Sequence, residues 1–479
     1  MTRGADGRLS LPGPSRLPLS MNCTRTLLSA VAAAASLLFG SAKAVEPVAI
    51  ANVSTVARDY ARQAALLVNG VPGNLLGGMG SGLTWAGGNV FLALPDRGPK
   101  ALAWNAAVDH TTSCIPRFHT VTLEMLAVPD AAIGLHLTLR PSLIGTTLLF
   151  SRSLLTYGGS IDGHGARAAL NRPVRHYFSG RSDNFDPVTS SADTPDARFD
   201  AQGIRVSANG RFVYVTDEYG PYLYQFDRAS GARVRAINLP ANLAAAAKSS
   251  SGAAEIAGNA TGRVADKDME GLAISPDGRR LFGLVQSPLI GDDGDGGRVN
   301  RVVEVDLETE KVRQYAYDNY LADKGKAYNS SEPLALNDHE LLVLERDGKG
   351  PGDDSKAVVK RIYKLDIAGA ADVSALSGES NLMPYAVPRS LFLDIVNKLT
   401  AAGPGADQIP AKLEGMAFGE DVVVAGIVRH TLYIANDSDF LATTPAGNFN
   451  PDQWFAFTFI DADLGGSAFV RQRFTPGAR

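Results

Sequence analysis

Cysteine is almost absent from this chain, which has two cysteines in 479 residues. Cys23 lies in an N-terminal segment typical of export signals, so Cys114 is the single thiol of the remaining chain. A disulfide needs two thiols and a Cys-based zinc site needs several, so both are excluded for that part. Stability must come from packing, from sheet closure and from any bound ions.

The common hydrolase and metalloprotease motifs are also missing. Ser81 in GMGSG lacks the spacing of a G-x-S-x-G elbow, which argues against a serine esterase of the α/β-hydrolase type. The seven histidines are scattered without H-E-x-x-H spacing, and His164 and His339 have the sequence context of turns. Basic patches and aromatic ladders are absent, so we expect no binding of nucleic acid.

Residues 1–44 are typical of an export signal rather than of a folded domain. Arg25 supplies a positive region, 27–39 an apolar run and 42–44 a small-residue cleavage site. The apolar run is too short for a membrane span. We predict a start at Met21, cleavage after Ala44, and a periplasmic or secreted protein without a transmembrane segment. Cleavage removes five Lys or Arg and one Asp, so the formal charge changes from −4 to −8.

Short alternating apolar segments bounded by Gly, Pro, Asp or Asn dominate the rest of the chain. One unit recurs, in which a Gly motif, a strand, a turn and a second strand end in a polar cluster. The interval is 14 residues both from Gly82 to Asp96 and from Gly203 to Asp217. Five units are visible, and the longest gap leaves room for a sixth, degenerate unit around residues 118–150.

The predicted fold class is all-β, with residues 45–479 forming a single β-propeller of six blades, each with four antiparallel strands. Radial repetition protects the sheet edges that a flat array would expose. A large β-sandwich or two barrels are the alternatives. Long amphipathic helix patterns are few, and 390–399 is the clearest. We expect a monomer.

The topology of a blade predicts where the polar clusters lie. The loop entering the innermost strand and the loop leaving the second strand share one face, because these strands are antiparallel. Side chains of all units should therefore surround one mouth of the central channel; they are Asp96, Arg97, Gln202, Asp217, Glu218, Glu270, Gln286, Glu332, Glu345, Arg346, Asp347, Glu414, Asn436 and Asp437. Alternatively, these side chains bond backbone N–H groups and hold the blades together.

Carboxylates with arginines among them are suited to a metal or a polar substrate. We predict Ca²⁺ as the metal, with the ligands Asp96, Asp217, Glu218, Glu270, Glu414 and Asp437. The predicted catalytic residues are Glu270 and Glu345, to orient or deprotonate water, and Arg97 and Arg346, to neutralise an anion. The Asp- and Gly-rich stretches 291–300 and 346–356 are either cation-binding or solvated loops.

At these residues the sequence resembles the phytase-like domain family, often described as having esterase-like activity. The matching segments span about 80–460; they are LPDRGP (94–99), DEYGPYLYQFD (217–227), DMEGLAISPDGRRLFGLVQSP (268–288), LVLERD (342–347) and LEGMAF (413–418). The resemblance implies an exported propeller, distantly similar to the calcium-dependent alkaline phytases. Gln202 departs from the motif, which usually has Glu, and would make a weaker, neutral metal ligand.

Three functions are compatible with this pattern. The first is an exported, metal-assisted hydrolase of small-molecule phosphoric or carboxylic esters, acting at the channel mouth. The second is a non-catalytic propeller that binds a ligand or a partner in the cell envelope. The third, lactonase-type hydrolysis, would use the same site as the first.

Overall fold

The computed structural model describes residues 45–53, 56–67, 69–99, 114–127, 135, 137–157, 170–181, 193–220, 222–247, 256–265 and 267–475. The predicted signal segment 1–44 lies outside these residues, so the signal and its cleavage stay predictions. Val45–Arg479 form one compact unit. No helix within the described ranges has both the length and the apolar character needed to cross a membrane.

Strands are the main regular secondary structure of the described chain, and five sheets have four or five strands each. The strands of the first two sheets, with a short ribbon between them, are β2 (Gly82–Trp85), β3 (Val90–Leu94), β4 (Arg117–Ala127), β5 (Leu137–Leu148), the ribbon strands β6 (Phe150–Ser151) and β7 (His176–Tyr177), then β8 (Ala201–Val206), β9 (Phe212–Asp217), β10 (Tyr222–Asp227) and β11 (Arg233–Asn238). The N-terminal strand is β1 (Glu46–Val53).

The next two sheets are again separated by a short ribbon. Their strands are β12 (Met269–Ile274), β13 (Arg280–Val285), β14 (Val299–Asp306), β15 (Val312–Asp318), the ribbon strands β16 (Tyr320–Leu321) and β17 (Lys326–Ala327), then β18 (Asn329–Ala335), β19 (Glu340–Arg346), β20 (Lys360–Asp366) and β21 (Arg389–Asp394). The last sheet comprises β22 (Leu413–Phe418), β23 (Val422–Val424), β24 (Ile427–Asn436), β25 (Asp452–Phe459) and β1.

The sheets are the blades of a propeller. The innermost strands β2, β8, β12, β18 and β22 contact one another in a closed cycle. The N-terminal strand β1 pairs with β25 and completes the fifth blade, so the two ends of the chain close the ring. The all-β propeller prediction is therefore confirmed.

The predicted number of blades is wrong, because the structure has five blades over the described residues and not six. Residues 118–150, which were predicted to hold the sixth unit, mostly form β4 and β5. These strands pair with β3 and with each other as the outer half of the first blade. The long gap between the first two units is filled by these long outer strands.

Each interface between neighbouring blades contains one buried apolar cluster. Successive side chains of a strand point to opposite faces, so one strand serves two clusters. On β9, Val213 and Val215 pack towards the first blade, while Tyr214 packs towards the third. This alternation explains the near-continuous apolar character of the strands.

Helices are few among the described residues. The α-helices are α1 (Glu379–Leu382) and α2 (Ile395–Ala401), and the 3₁₀ turns are Ala241–Leu243, Ile290–Asp292, Met383–Tyr385, Ala406–Gln408 and Asp461–Leu464. The predicted helix 390–399 is only half correct, because its first half is strand β21. Asp394 ends that strand and caps α2 by accepting from the N–H of Asn397 at 3.0 Å.

An ion pair closes the channel at its centre. Arg205 of β8 lies 2.5 Å from Glu332 of β18 and donates to the carbonyl oxygens of Leu83 on β2 and Met416 on β22. Glu332 accepts from the N–H of Leu272 on β12 at 3.1 Å. The pair thus contacts all five innermost strands. Glu332, predicted at the channel mouth, is instead buried inside the channel.

Residues 465–475, here called the C-terminal strap, cross the end of the channel opposite the polar clusters. The N–H of Val470 donates to the carbonyl oxygen of Leu336 in the fourth blade at 2.8 Å. The side chain of Gln472 donates to the carbonyl oxygen of Val206 in the second blade, also at 2.8 Å. The strap therefore covers the end of the channel opposite the polar clusters.

Candidate functional site

A cavity of about 410 Å³ lies at the polar mouth of the channel. All five blades contribute side chains to it, from the start of the innermost strand or the end of the second strand. The lining residues are Asp96, Arg97, Gln202, Glu218, Lys267, Glu270, Gln286, Asn329, Arg346, Gly348, Lys412 and Glu414. This is the arrangement that antiparallel first and second strands dictate.

The lining combines equal numbers of opposite charges. Its carboxylates are Asp96, Glu218, Glu270 and Glu414, and its cations are Arg97, Lys267, Arg346 and Lys412. Some of these charges pair between blades, as Arg346 of the fourth blade does with Glu270 of the third and Glu414 of the fifth. Such a lining can hold a polar or anionic molecule and can place a carboxylate beside an arginine.

Arg97 organises one half of the cavity. Its Nη1 lies 2.5 Å from Asp200 and 3.8 Å from Glu218. The amide of Gln202 donates to both of these carboxylates at 3.1 Å, and the N–H of Asp268 donates to Glu218 at 3.2 Å. The amide that departs from the family motif is therefore a donor between two acids, where a glutamate would add a third negative charge.

Arg346 organises the other half. Its Nη2 lies 2.5 Å from Glu414 and 3.7 Å from Glu270, and its Nε donates to the hydroxyl of Ser331 at 3.0 Å. Both glutamates are buried. Burial, and next the charge of Glu414, raise the pKa of Glu270 to about 8. Glu270 can therefore hold or release a proton near neutral pH, as a general acid or base must.

Beside Arg97, three aspartates, here called the aspartate trio, surround one lysine. Asp96, Asp437 and Asp439 can each place an oxygen within 4.8 Å of the others. Lys412 bonds Asp437 through its Nζ and lies 3.0 Å from Asp439. Burial raises the pKa of Asp96 to about 6, although Lys412 and Arg97 oppose that shift.

As arranged, the aspartate trio does not fit Ca²⁺. Calcium takes six to eight oxygen ligands, whereas here an ammonium already bonds two of the three carboxylates. Backbone N–H groups occupy further oxygens, since Gly98 donates to Asp96 and Asp439 donates to Asp437. The predicted Ca²⁺ and its ligands stay predictions.

Several predicted site residues lie together, and others lie elsewhere. The cavity brings together Asp96, Arg97, Glu218, Glu270, Arg346 and Glu414, and Asp437 lies next to it. Asp217 instead accepts from the N–H groups of Asp200 and Tyr219 at 3.1 and 3.0 Å. This is the backbone-bonding role that the sequence left open as the alternative.

Glu345 also lies away from the cavity lining. It accepts from the hydroxyl of Tyr317 at 2.6 Å and pairs with Arg389, between the third and fourth blades. Strand alternation could have given this result, because neighbouring side chains point to opposite faces. Glu345 and Arg346 are neighbours on β19, so only one of them could face the cavity. Beyond the strand ends this rule does not hold, since the neighbours Asp96 and Arg97 both line the cavity.

Sequence reasoning missed Lys267, Lys412 and Asp439. Lys412 directly precedes β22 and Asp439 lies beyond the end of β24, so both are outside the strands, where side-chain alternation gives no signal. Lys267, which precedes β12, gave no such signal either. Its Nζ lies 2.7 Å from Asp295, in one of the two Asp- and Gly-rich loops.

Internal partners already bind the principal carboxylates of those loops. In 291–300, Asp292 is buried and lies 2.7 Å from Arg301. In 346–356, Asp347 lies 2.6 Å from Lys360. These contacts give both loops a structural role.

A family model described as "Phytase-like: Esterase-like activity of phytase" matches residues 74–440, more than half of the chain. An "Uncharacterized secreted protein" of Arthroderma benhamiae is 28% identical over 317 residues. That match covers 57% of this chain and 60% of the fungal protein, so it spans less than two thirds of that relative.

Solved propeller structures also match, at low similarity. The periplasmic gluconolactonase of Pseudomonas aeruginosa is 11% identical with a TM-score of 0.32, covering 85% of this chain and 99% of its own. The PQQ-bound aldose sugar dehydrogenase of Streptomyces coelicolor is 10% identical with a TM-score of 0.31, covering 85% and 97%. At these values neither likeness bears on activity.

Proposed function

This chain belongs to the phytase-like family described by esterase-like activity, and from that premise we propose an exported hydrolase of phosphoric or carboxylic esters. The reaction takes place in the cavity at the channel mouth. The observation that carries the proposal is the buried pair Glu270 and Glu414 on either side of Arg346, with a Glu270 pKa of about 8. The secreted relative supports export.

Water is the nucleophile in this proposal. None of the cavity-lining residues that the structure describes carries a hydroxyl, a thiol or an imidazole. Hydrolysis would then proceed without a covalent enzyme intermediate, with a carboxylate accepting a proton from the water that attacks phosphorus or the carbonyl carbon. We assign that role to Glu414, which is paired with Arg346.

Glu270 is the proton donor. Near neutral pH its raised pKa keeps it protonated, so it can protonate the leaving oxygen of the ester. Two adjacent carboxyl groups with different environments can divide the acid and base roles in this way. Arg97, Arg346 and the two lysines stabilise the negative charge that develops on phosphorus or carbon oxygens.

The test is a hydrolase screen of the exported protein with and without chelator. The substrates are p-nitrophenyl phosphate, p-nitrophenyl butyrate, inositol hexakisphosphate and a δ-lactone. We expect turnover of at least one ester class, with a loss of about 10²–10⁴-fold in Glu270→Gln, the usual contribution of a general acid. Glu345→Gln is the matched control, because Glu345 is an equally buried glutamate outside the cavity, and it should keep its turnover.

A specific observation supports a second candidate, a non-catalytic ligand-binding propeller. Each cation of the lining already has a carboxylate partner, as Lys267 has Asp295 and Arg97 has Asp200. Such a network could serve only to hold the blades and bind a ligand. This candidate gains if no substrate of the screen is turned over while calorimetry detects a phosphate or carboxylate anion bound in the cavity. Turnover of the lactone alone would favour lactonase-type hydrolysis.

A further inference from the structure

The contacts of Lys412 distinguish it from the other cations at the mouth. Its Nζ bonds Asp437, lies 3.0 Å from Asp439 and 3.5 Å from Glu414. The other lining lysine, Lys267, lies within salt-bridge distance of one carboxylate among the described residues, that of Asp295. Lys412 therefore lies where carboxylates from two segments of the fifth blade converge.

The backbone holds Lys412 in this position. Its carbonyl oxygen accepts from the N–H of Asp437 at 2.9 Å, at the end of the strand pair β22 and β24. The N–H of Asp439 donates to Oδ1 of Asp437 at 2.8 Å, which leaves Oδ2 for the ammonium. These two backbone N–H bonds fix the ammonium of Lys412 relative to the carboxylate of Asp437 that accepts from it.

From this geometry we infer that the ammonium of Lys412 is a built-in cation that takes the place of a metal ion within the aspartate trio. A carboxylate cluster at a buried mouth is tolerated only when a cation offsets its charge. A lysine supplies that charge from within the chain. It requires no dehydration of an ion and no set of six to eight oxygens.

With the ammonium in place, the channel mouth of the wild-type protein neither needs Ca²⁺ nor is stabilised by it. Removal of the ammonium would leave three carboxylates within reach of one cation. Ca²⁺ could then enter and compensate for the lost charge. The inference does not rest on the proposed hydrolysis, because both of its readouts, melting and metal binding, are independent of turnover.

The experiment compares metal-depleted wild type, Lys412→Met and Lys267→Met by thermal melting, in chelator and in millimolar CaCl₂, with calorimetric titration of Ca²⁺. Ligands that bind only the folded state raise its melting temperature. We expect no change in wild type or in Lys267→Met. Lys412→Met should melt several degrees lower in chelator, recover several degrees in CaCl₂, and bind Ca²⁺ with measurable heat.

Two results would overturn the inference. One is saturable binding of Ca²⁺ to wild type that disappears in Asp439→Asn, because the metal would then displace the lysine. The other is a Lys412→Met variant that responds to Ca²⁺ no more than wild type, because the aspartate trio would then not be a cation site. If Lys412→Met does not fold, the Ca²⁺ titration of wild type and the Ca²⁺ response of Lys412→Gln test the inference in the same way.

Discussion

The two ends of the channel are made by the same five innermost strands, yet these strands present different side chains at each end. At one end the strands begin and surround a charged cavity of about 410 Å³. At the other end they finish in apolar residues such as Ile274, Leu334 and Ala417, which enclose a space of about 50 Å³ beneath the C-terminal strap. A wider cleft of about 1010 Å³ runs along the strap itself. Because the innermost strands all run in the same direction, their polar starts lie at one end and their apolar ends at the other.

Aromatic contacts fix the strap over the apolar end. Phe474 packs on Trp85 of the first blade, with ring centroids 5.1 Å apart, and Phe469 packs on Phe418 of the fifth blade at 4.5 Å. The Arg205 ion pair lies between this cover and the charged cavity. Polar residues at the strand starts therefore mark the cavity that can take a ligand. Apolar residues at the strand ends mark the surface that the strap covers.

The largest expected effect on stability comes from removing the ion pair of Arg205 and Glu332, which lies between the two ends. Arg205→Met leaves the buried carboxyl group of Glu332 without its partner, which costs about 3–5 kcal/mol of folding free energy. Urea denaturation would measure it. Lys349→Met is the control, because its pair with Asp353 is exposed and worth about 0–1 kcal/mol. Equal losses in the two variants would show that the ion pair is not needed for ring closure.

A smaller effect is expected at the covered end. Phe469→Ala should lower the free energy of unfolding by about 1–2 kcal/mol, within the range for partly buried core contacts. Turnover at the opposite mouth should stay within about twofold of wild type, because the two ends are separated. The control is Phe449→Ala, since Phe449 is 62% exposed. Lost turnover together with normal stability would contradict the separation.

The charged end should give stability a pH dependence. The folded pKa of Glu270, about 8, lies above its ordinary value of 4.5. Its contribution to stability is therefore complete below about pH 4.5 and is lost as pH rises through 8. Glu270→Gln lacks this loss, so its melting temperature should gain on wild type by several degrees between pH 5 and 9. Parallel melting curves for the two proteins would refute the shift.

The smallest effect should separate two neighbours at the mouth. Asp217→Asn keeps an oxygen acceptor for the two N–H groups, so stability should change by less than about 1 kcal/mol and turnover should not change. Glu218→Gln removes a charge from the cavity and should lower turnover by roughly tenfold, about 1.4 kcal/mol. Glu308→Gln, in an exposed outer turn, should change neither. If Asp217→Asn loses more turnover than Glu218→Gln, the assignment of faces is wrong.

The sequence predicted the parts of the structure that repeat. The regular intervals within the repeated units predicted a propeller. The antiparallel pairing of the first two strands predicted that Glu270, Arg346 and Glu414 lie at one mouth of the channel. The sixth blade was a wrong prediction, because β4 and β5 alternate apolar residues just as the strands of a blade do. Pattern alone cannot tell long outer strands from a degenerate unit.

Contacts across the axis were beyond sequence reasoning. Arg205 and Glu332 are 127 positions apart, and neither has a local signal that indicates the other. The same holds for Arg97 and Asp200, which meet between two blades. By contrast, strict use of strand alternation would have shown that Glu345 and Arg346, both on β19, point to opposite faces.

The central claim is that Glu270 supplies the proton in an ester hydrolysis at the charged end. The pH profile of kcat/KM for the best substrate of the screen, in wild type and Glu270→Gln, tests it most directly. Wild-type kcat/KM should fall as pH rises through about 8, where Glu270 loses its proton. Glu270→Gln should be slow and should lack that alkaline limb. An unchanged profile and rate in Glu270→Gln would contradict the account.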